Sequence, residues 1–230
     1  EFDKGYKDLI ERIIPGTNDK QLGANIFKED GTREVKPYTI VERDGVKVAL
    51  VGTTSNLTVA KSNPANVKGL EIKDSALQVN EEAKKIKDAG EADVVIALIH
   101  DPAKEASEKL DPQYVDFVFG GDSHIKDLGL GAEVKYAQSY EYGKVVTDLD
   151  FTFDKATKKI VELDVKQYEY ADLAALNITP DEDVASIVAE AKKESDKLGE
   201  QVVATVGADF KRGSNPGAAP GTNRGTESTA

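Results

Sequence analysis

Apolar and polar positions alternate with several periods along the chain, and each period predicts an element. Leu9, Ile10, Ile13 and Ile14 recur at helical spacing, which predicts a short amphipathic helix over residues 1–14, stopped by Pro15-Gly16. Leu22 to Phe27 reads as a short buried strand. Tyr38 to Glu42 and Val46 to Val51 flank Asp44-Gly45, a dipeptide that favours a two-residue hairpin turn. Gly52 to Gly69 is polar and reads as a loop. Ala76 to Ala89 is predicted to be a helix with Leu77, Ala83 and Ile86 inward and Gly90 as its stop.

Asp93 to Ile99 is a nearly continuous apolar run, the pattern of a strand covered on both faces. Residues 103–110 predict a short charged helix, and Tyr114 to Phe119 another buried strand, ending at Gly120-Gly121. Glu133 to Ser139, Lys144 to Phe153 and Lys159 to Tyr168 read as strands, with Asp154 to Lys158 turning between the last two. Strand–helix–strand units come first and antiparallel strands last, which predicts a layered, sandwich-like α/β fold. Residues 181–198 form a strong helix candidate, with Pro180 and three acidic residues at its start and Lys197 and Gly199 at its end. Val202 to Val206 predicts the start of a further strand. From Lys211 onward Gly, Pro, Asn, Thr and Ala dominate, as in a linker or tail.

Composition narrows the function classes. Apolar residues make up 39% of the 230 and charged residues 31%, a globular balance. No stretch approaches the ~18–20 apolar residues of a membrane-spanning helix. The net charge of -12, with no basic cluster to offset it, argues against binding a nucleic-acid backbone. The absence of cysteine removes disulfides, thiolate metal sites and cysteine nucleophiles. Walker, dinucleotide-binding and Gly-x-Ser-x-Gly patterns are also missing. Glu1 in place of Met predicts that the chain is not an intact translation product.

The candidate chemistry rests on two histidines, the whole complement of the chain. His100 directly follows the apolar run Val94 to Ile99. His124 stands in Gly120-Gly121-Asp122-Ser123-His124, just past the next strand. Ligands gather at the carboxyl ends of strands in α/β sheets. Asp122 and His124 are two residues apart, so in an extended segment both would point the same way. Imidazole and carboxylate together suit Zn, Mn or Fe. The residues alone leave open the plainer reading, two unrelated surface histidines and a Gly-Gly turn. Asp101 could orient His100 from behind or cap the helix that follows. Asn25, after a short strand, could lie near the site or simply form a turn.

Several of these segments, in order, resemble the 5'-nucleotidase and UDP-sugar hydrolase family of metallophosphoesterases. Glu1-Phe2-Asp3-x-Gly5 resembles the end of its Gly-Asn-His-Glu-Phe-Asp-x-Gly motif, and Leu22 to Ile26 its Leu-x-Ala-Asn strand. Lys36-Pro37-Tyr38 through Thr54 resembles its Lys-Pro-Tyr to Gly segment. His100 falls on its isolated histidine, and Gly120 to His124 resembles Gly-Gly-His-Ser-His. Arg224 to Ser228 resembles the Arg-x-x-Glu-Ser segment that opens its second domain.

The resemblance implies a fragment of a four-layer α-β-β-α sandwich over residues 1–175, an interdomain helix over 176–200, and the start of a second domain over 201–230. It implies two divalent metal ions, Mn or Zn, acting on a nucleotide or another phosphate ester outside the cell or at the cell wall. His100, Asp122 and His124 would be metal ligands, and Asp3 the acidic partner of a catalytic histidine. Asp122 stands where the family has histidine, which shifts preference toward harder metals such as Mn. In the family the remaining ligands and the catalytic histidine precede the position of Glu1. The chain alone is therefore expected to be inactive, and a non-catalytic surface-binding module on the same fold is the competing expectation.

Overall fold

The computed structural model describes residues 2–18, 20–205 and 207. They fall into two compact units divided between Asn177 and Ile178. The first is a mixed α/β sandwich built on a six-stranded sheet in the order β2-β3-β5-β6-β8-β7. Its strands are β2 (Tyr38–Arg43), β3 (Val46–Thr53), β5 (Val94–Ile99), β6 (Phe117–Gly120), β7 (Lys126–Gly129) and β8 (Lys135–Ser139). The four central strands β3, β5, β6 and β8 run parallel, and β2 and β7 close the two edges antiparallel.

Strand alternation explains how this sheet is covered. Ala49, Val51, Val95, Ala97 and Val118 face one way, onto Ala76, Val79, Ala83 and Ile86 of α4 (Ser75–Ala89) and Ala103 and Ala106 of α5 (Ala103–Ser107). Val48, Val94, Ile96 and Phe117 face the other way. There they meet Leu149, Phe151, Leu163 and Val165 of the hairpin β9 (Val145–Asp154) and β10 (Lys159–Glu169). The sheet is thus filled on both faces, as its apolar runs predict.

A smaller cluster gathers Phe2, Leu9, Ile26, Val35 and Val67. It joins a short helical stretch to the two-stranded pair β1 (Ile26–Lys28) and β4 (Leu70–Ile72). The helical stretch consists of α1 (Tyr6–Asp8), a π-helical turn (Leu9–Ile13) and α2 (Ile14–Gly16). Arg33 ties this cluster to α4: it bridges to the buried Glu82 at 2.9 Å and lies over the Phe27 ring at 4.3 Å.

Several boundaries differ from expectation. Leu77 is exposed, and Ala76, Val79, Ala83 and Ile86 form the inward face of α4. Ala83 and Ile86 are inward as expected, while the helix itself starts one residue earlier, at Ser75, where Asp74 caps it by accepting from the Leu77 backbone at 3.0 Å. The segment 52–69 carries α3 (Thr58–Lys61) and a 3-10 turn rather than only loop. The strand before His124 begins at Phe117, since Tyr114 and Val115 close a turn on Asp111.

The first unit closes with α6 (Tyr170–Ala175). In the second unit, α7 (Glu182–Gly199) is capped by Asp181, whose carboxylate accepts from the Val184 backbone at 3.0 Å. Val184, Ile187 and Val188 form an exposed apolar stripe on it. Residues 202–205 form no strand, and Val206 lies outside the described residues. Glu1 and the segment 208–230, with Arg224 to Ser228, lie outside them too.

Candidate functional site

Parallel strands end together, and the chemistry collects where they end. β3, β5 and β6 finish at Thr53, Ile99 and Gly120. The His100 backbone donates to the Thr53 carbonyl (3.2 Å), and the Gly121 backbone to the Asp101 carbonyl (2.9 Å). These bonds fix the loop after β5 against the loops on either side. Gly120 has no room for a side chain: a Cβ there would sit 2.4 Å from the Ala103 Cα.

His100 and Asp122 are brought together, with Nε2 and Oδ1 3.9 Å apart. The Asp122 carboxylate accepts two hydrogen bonds from the Lys61 ammonium at the end of α3, at 2.8 and 2.6 Å. His124 is held elsewhere: its Nδ1 lies 2.9 Å from Glu141, and its ring meets the edge of Tyr142 at 5.3 Å. Lys144, first, and then His124 hold the Glu141 carboxyl below the usual range. Asp122, His124, Tyr140 and Tyr142 all have positive φ, from 50 to 63°. Left-handed backbone at non-glycine residues is costly, and such strain concentrates at functional sites. Here it is also why Asp122 and His124 fail to point the same way: the segment is a tight turn, not an extended strand.

The other candidates have structural partners. Asn25 is fully buried. Its side-chain amide donates to the Thr54 and Lys73 carbonyls and accepts from the Thr54 backbone. Asp101 accepts from Ser55, the Asn56 backbone and Ser75. The cap position of α5 falls to Pro102, without a side-chain bond. Asp3 is exposed, and its backbone carbonyl accepts from the Asn66 side chain at 2.9 Å. Lys61 and Glu141 are the site residues that sequence reasoning missed. Lys61 lies 61 positions from Asp122, in a stretch with no motif of its own.

Beside His100 a cleft of ≈ 280 Å³ opens, lined by Phe2, Leu22, Thr53, Ile99, Phe119 and Gly121. The Thr53 hydroxyl is buried in its wall without a partner among the described residues. Most buried hydroxyls are bonded, so this one is an exception in the cleft wall. Two metal ions are a different matter. Among the described residues no group of three or more His, Cys, Asp or Glu side chains is placed to hold an ion. His100 and Asp122 offer two donors, one of them engaged by an ammonium, and His124 is turned to Glu141. The described donor set does not fit a two-ion centre.

No protein-family model matches the chain. Among curated proteins it is 26% identical over 244 residues to Endonuclease YhcR of Bacillus subtilis, covering 96% of this chain and 20% of that protein. It is 24% identical to Cell wall protein Lmo0130 of Listeria monocytogenes, covering 94% of this chain and 32% of that one. It is 26% identical to a 5'-nucleotidase of Vibrio cholerae, over 66% of this chain and 34% of the relative. The chain thus spans about a fifth to a third of these relatives' length.

Among solved structures, a 5'-nucleotidase precursor from Thermus thermophilus superimposes with TM-score 0.69 at 22% identity, over 89% of this chain and 43% of that one. The calcineurin-like phosphoesterase YfkN from Bacillus subtilis gives 0.64 at 20% identity, over 78% of this chain and 64% of that one. The fold is the calcineurin-like phosphoesterase sandwich. Sequence similarity and fold together support a place in the calcineurin-like metallophosphoesterase and 5'-nucleotidase superfamily. Among the described residues no helix is long and apolar enough to cross a membrane.

Proposed function

We propose that this chain is part of a phosphoesterase domain whose whole protein hydrolyses nucleoside 5'-phosphates or related phosphate esters, outside the cell or at its wall. The observation that carries this reading is the meeting of His100 and Asp122 at the carboxyl ends of adjacent parallel strands, beside an open cleft. The similarity to a 5'-nucleotidase supports the substrate class, and that to a cell wall protein supports the location. In the whole protein, His100 and the turn 121–124 would face the ester, and Asp3 would orient a catalytic histidine from outside the described residues. Two divalent ions, Mn or Zn, would need further donors as well.

One observation favours the second reading, a non-catalytic binding module on this fold: the Asp122 carboxylate is already neutralised by Lys61. The chain itself is expected to release no phosphate from 5'-AMP above the buffer rate with added MnCl2 or ZnCl2. Turnover by the chain that disappears on His100→Ala would overturn that expectation.

A further inference from the structure

A second cavity, of ≈ 520 Å³, opens between the start of β7, the turn that joins β8 to β9, and the start of α6. Its walls include Tyr140, Tyr170, Lys126, Lys144 and Glu169, and it shares no lining residue with the cleft beside His100. The volume lies in the ~300–1,000 Å³ range of small-molecule sites. Its tyrosines contribute little to the core: Tyr170 is 74% exposed and Tyr140 42%, and Tyr142 in the same turn is 82% exposed. Tyr140 and Tyr142 also sit at φ 61° and 50°, left-handed backbone that glycine takes freely and a bulky residue does not. The turn thus carries backbone strain and still leaves its rings to solvent, a combination that packing does not account for. The Lys144 ammonium spans the two rings, 5.3 Å from the Tyr140 centroid and 5.8 Å from that of Tyr142, which holds them as a platform.

The rim of the cavity states what the platform suits. Lys126 pairs with Glu169, and Lys144 with Glu141, so both charge signs are present and balanced. A ligand anion meets the carboxylates and a ligand cation the ammonium groups. Neither pair is used up: an ammonium has three donors and a carboxylate about four acceptor sites. An uncharged ring with hydroxyls on its edge fits this arrangement. The C–H groups on one face of a pyranose are weakly positive and lie on the negative face of a tyrosine ring. Its hydroxyls both donate, to Glu169, and accept, from Lys126. We propose that this cavity binds a neutral oligosaccharide. The inference does not rest on the hydrolase reading, since it concerns what the chain holds and not what the whole protein turns over.

The test is calorimetric titration of the full chain with cellotetraose, maltotetraose and chitotetraose, with adenosine as a competing flat ring. At least one of the three sugars should bind with a Kd of about 1 mM or tighter. Tyr170→Ala and Tyr140→Gly should each weaken it at least tenfold, and Tyr170→Phe, which keeps the ring, should stay within about threefold of wild type. Tyr140→Gly should do so without lowering the urea midpoint, because glycine adopts that backbone without strain. Absence of binding by all three sugars would overturn the proposal, as would binding that both ring-removing variants leave unchanged. Displacement of the sugar by adenosine would overturn it in favour of a nucleobase site. Tyr170→Leu provides the same reading should Tyr170→Ala fail to fold, a condition checked by its urea midpoint.

Discussion

Every polar atom of the Asn25 side chain that can bond does so, with two backbone carbonyls and one backbone amide, and the residue has no solvent to fall back on. Asn25→Ala would orphan these buried groups and is expected to cost about 2–4 kcal/mol, read as a lowered urea midpoint. A loss below about 0.5 kcal/mol would contradict the assignment of Asn25 to the frame of the fold. Tyr6 makes a pH-dependent contribution. Burial, and then its hydrogen bond to Glu34, push its hydroxyl up from 10.0 to about 12. A raised value means the protonated form is favoured in the fold, so the contribution is whole below pH 10.0 and lost between there and about 12. Stability should fall across that window, and Tyr6→Phe should flatten the fall. At this scale the positions of His100 and Asp122 just past strand ends were legible, because a strand's last residue is visible in its apolar run. Lys61, Glu141 and the direction of His124 were not. Those depend on contacts between segments far apart in the chain and on a turn whose left-handed residues carry no glycine signal.

The elements that were easiest to read are those whose pattern is set by a two-sided burial. Val94 to Ile99 is one, and the Asp44-Gly45 hairpin, with both residues at positive φ, is as plain for a different reason, its turn chemistry. The edge strand β7 escaped notice because Lys126-Asp127-Leu128-Gly129 is half polar and pairs on one side only. α4 keeps Ala83 and Ile86 inward as expected, and Leu77 lies off the stripe 76, 79, 83, 86 that the helical period sets, so it is exposed. The end of β6 approaches the start of α5 closely, and the approach depends on Gly120. Ala103 at that contact donates its backbone N–H to the buried Gln138 side chain, which also holds Ser123 at 2.7 Å. Gly120→Ala would push α5 off the sheet and disturb the turn 121–124 through Gln138. The expected cost is about 1–3 kcal/mol or more, together with altered amide shifts at Ser123 and His124 in NMR spectra. Unchanged stability and unchanged shifts would contradict the close approach.

For the whole molecule, the sheet, its helical cover and its hairpin cover are those of calcineurin-like phosphoesterases, while among the described residues the cation-binding groups are few and one is spoken for. A fold of this kind supports a hydrolytic site only when enough donors converge on it. The described residues supply two at the strand ends, and the chain spans about a fifth to a third of its curated relatives. On the proposed reading, hydrolysis would belong to a whole protein that brings further donors to these strand ends, and the chain by itself is expected to be silent. The most direct measurement is phosphate release from 5'-AMP and a panel of phosphate esters by the whole protein purified from its source, with His100→Ala beside it. The native protein is expected to release phosphate in a metal-dependent way, and His100→Ala to reduce that release at least a hundredfold. A native protein that releases no phosphate from any of these esters, or one that His100→Ala leaves unaffected, would contradict it.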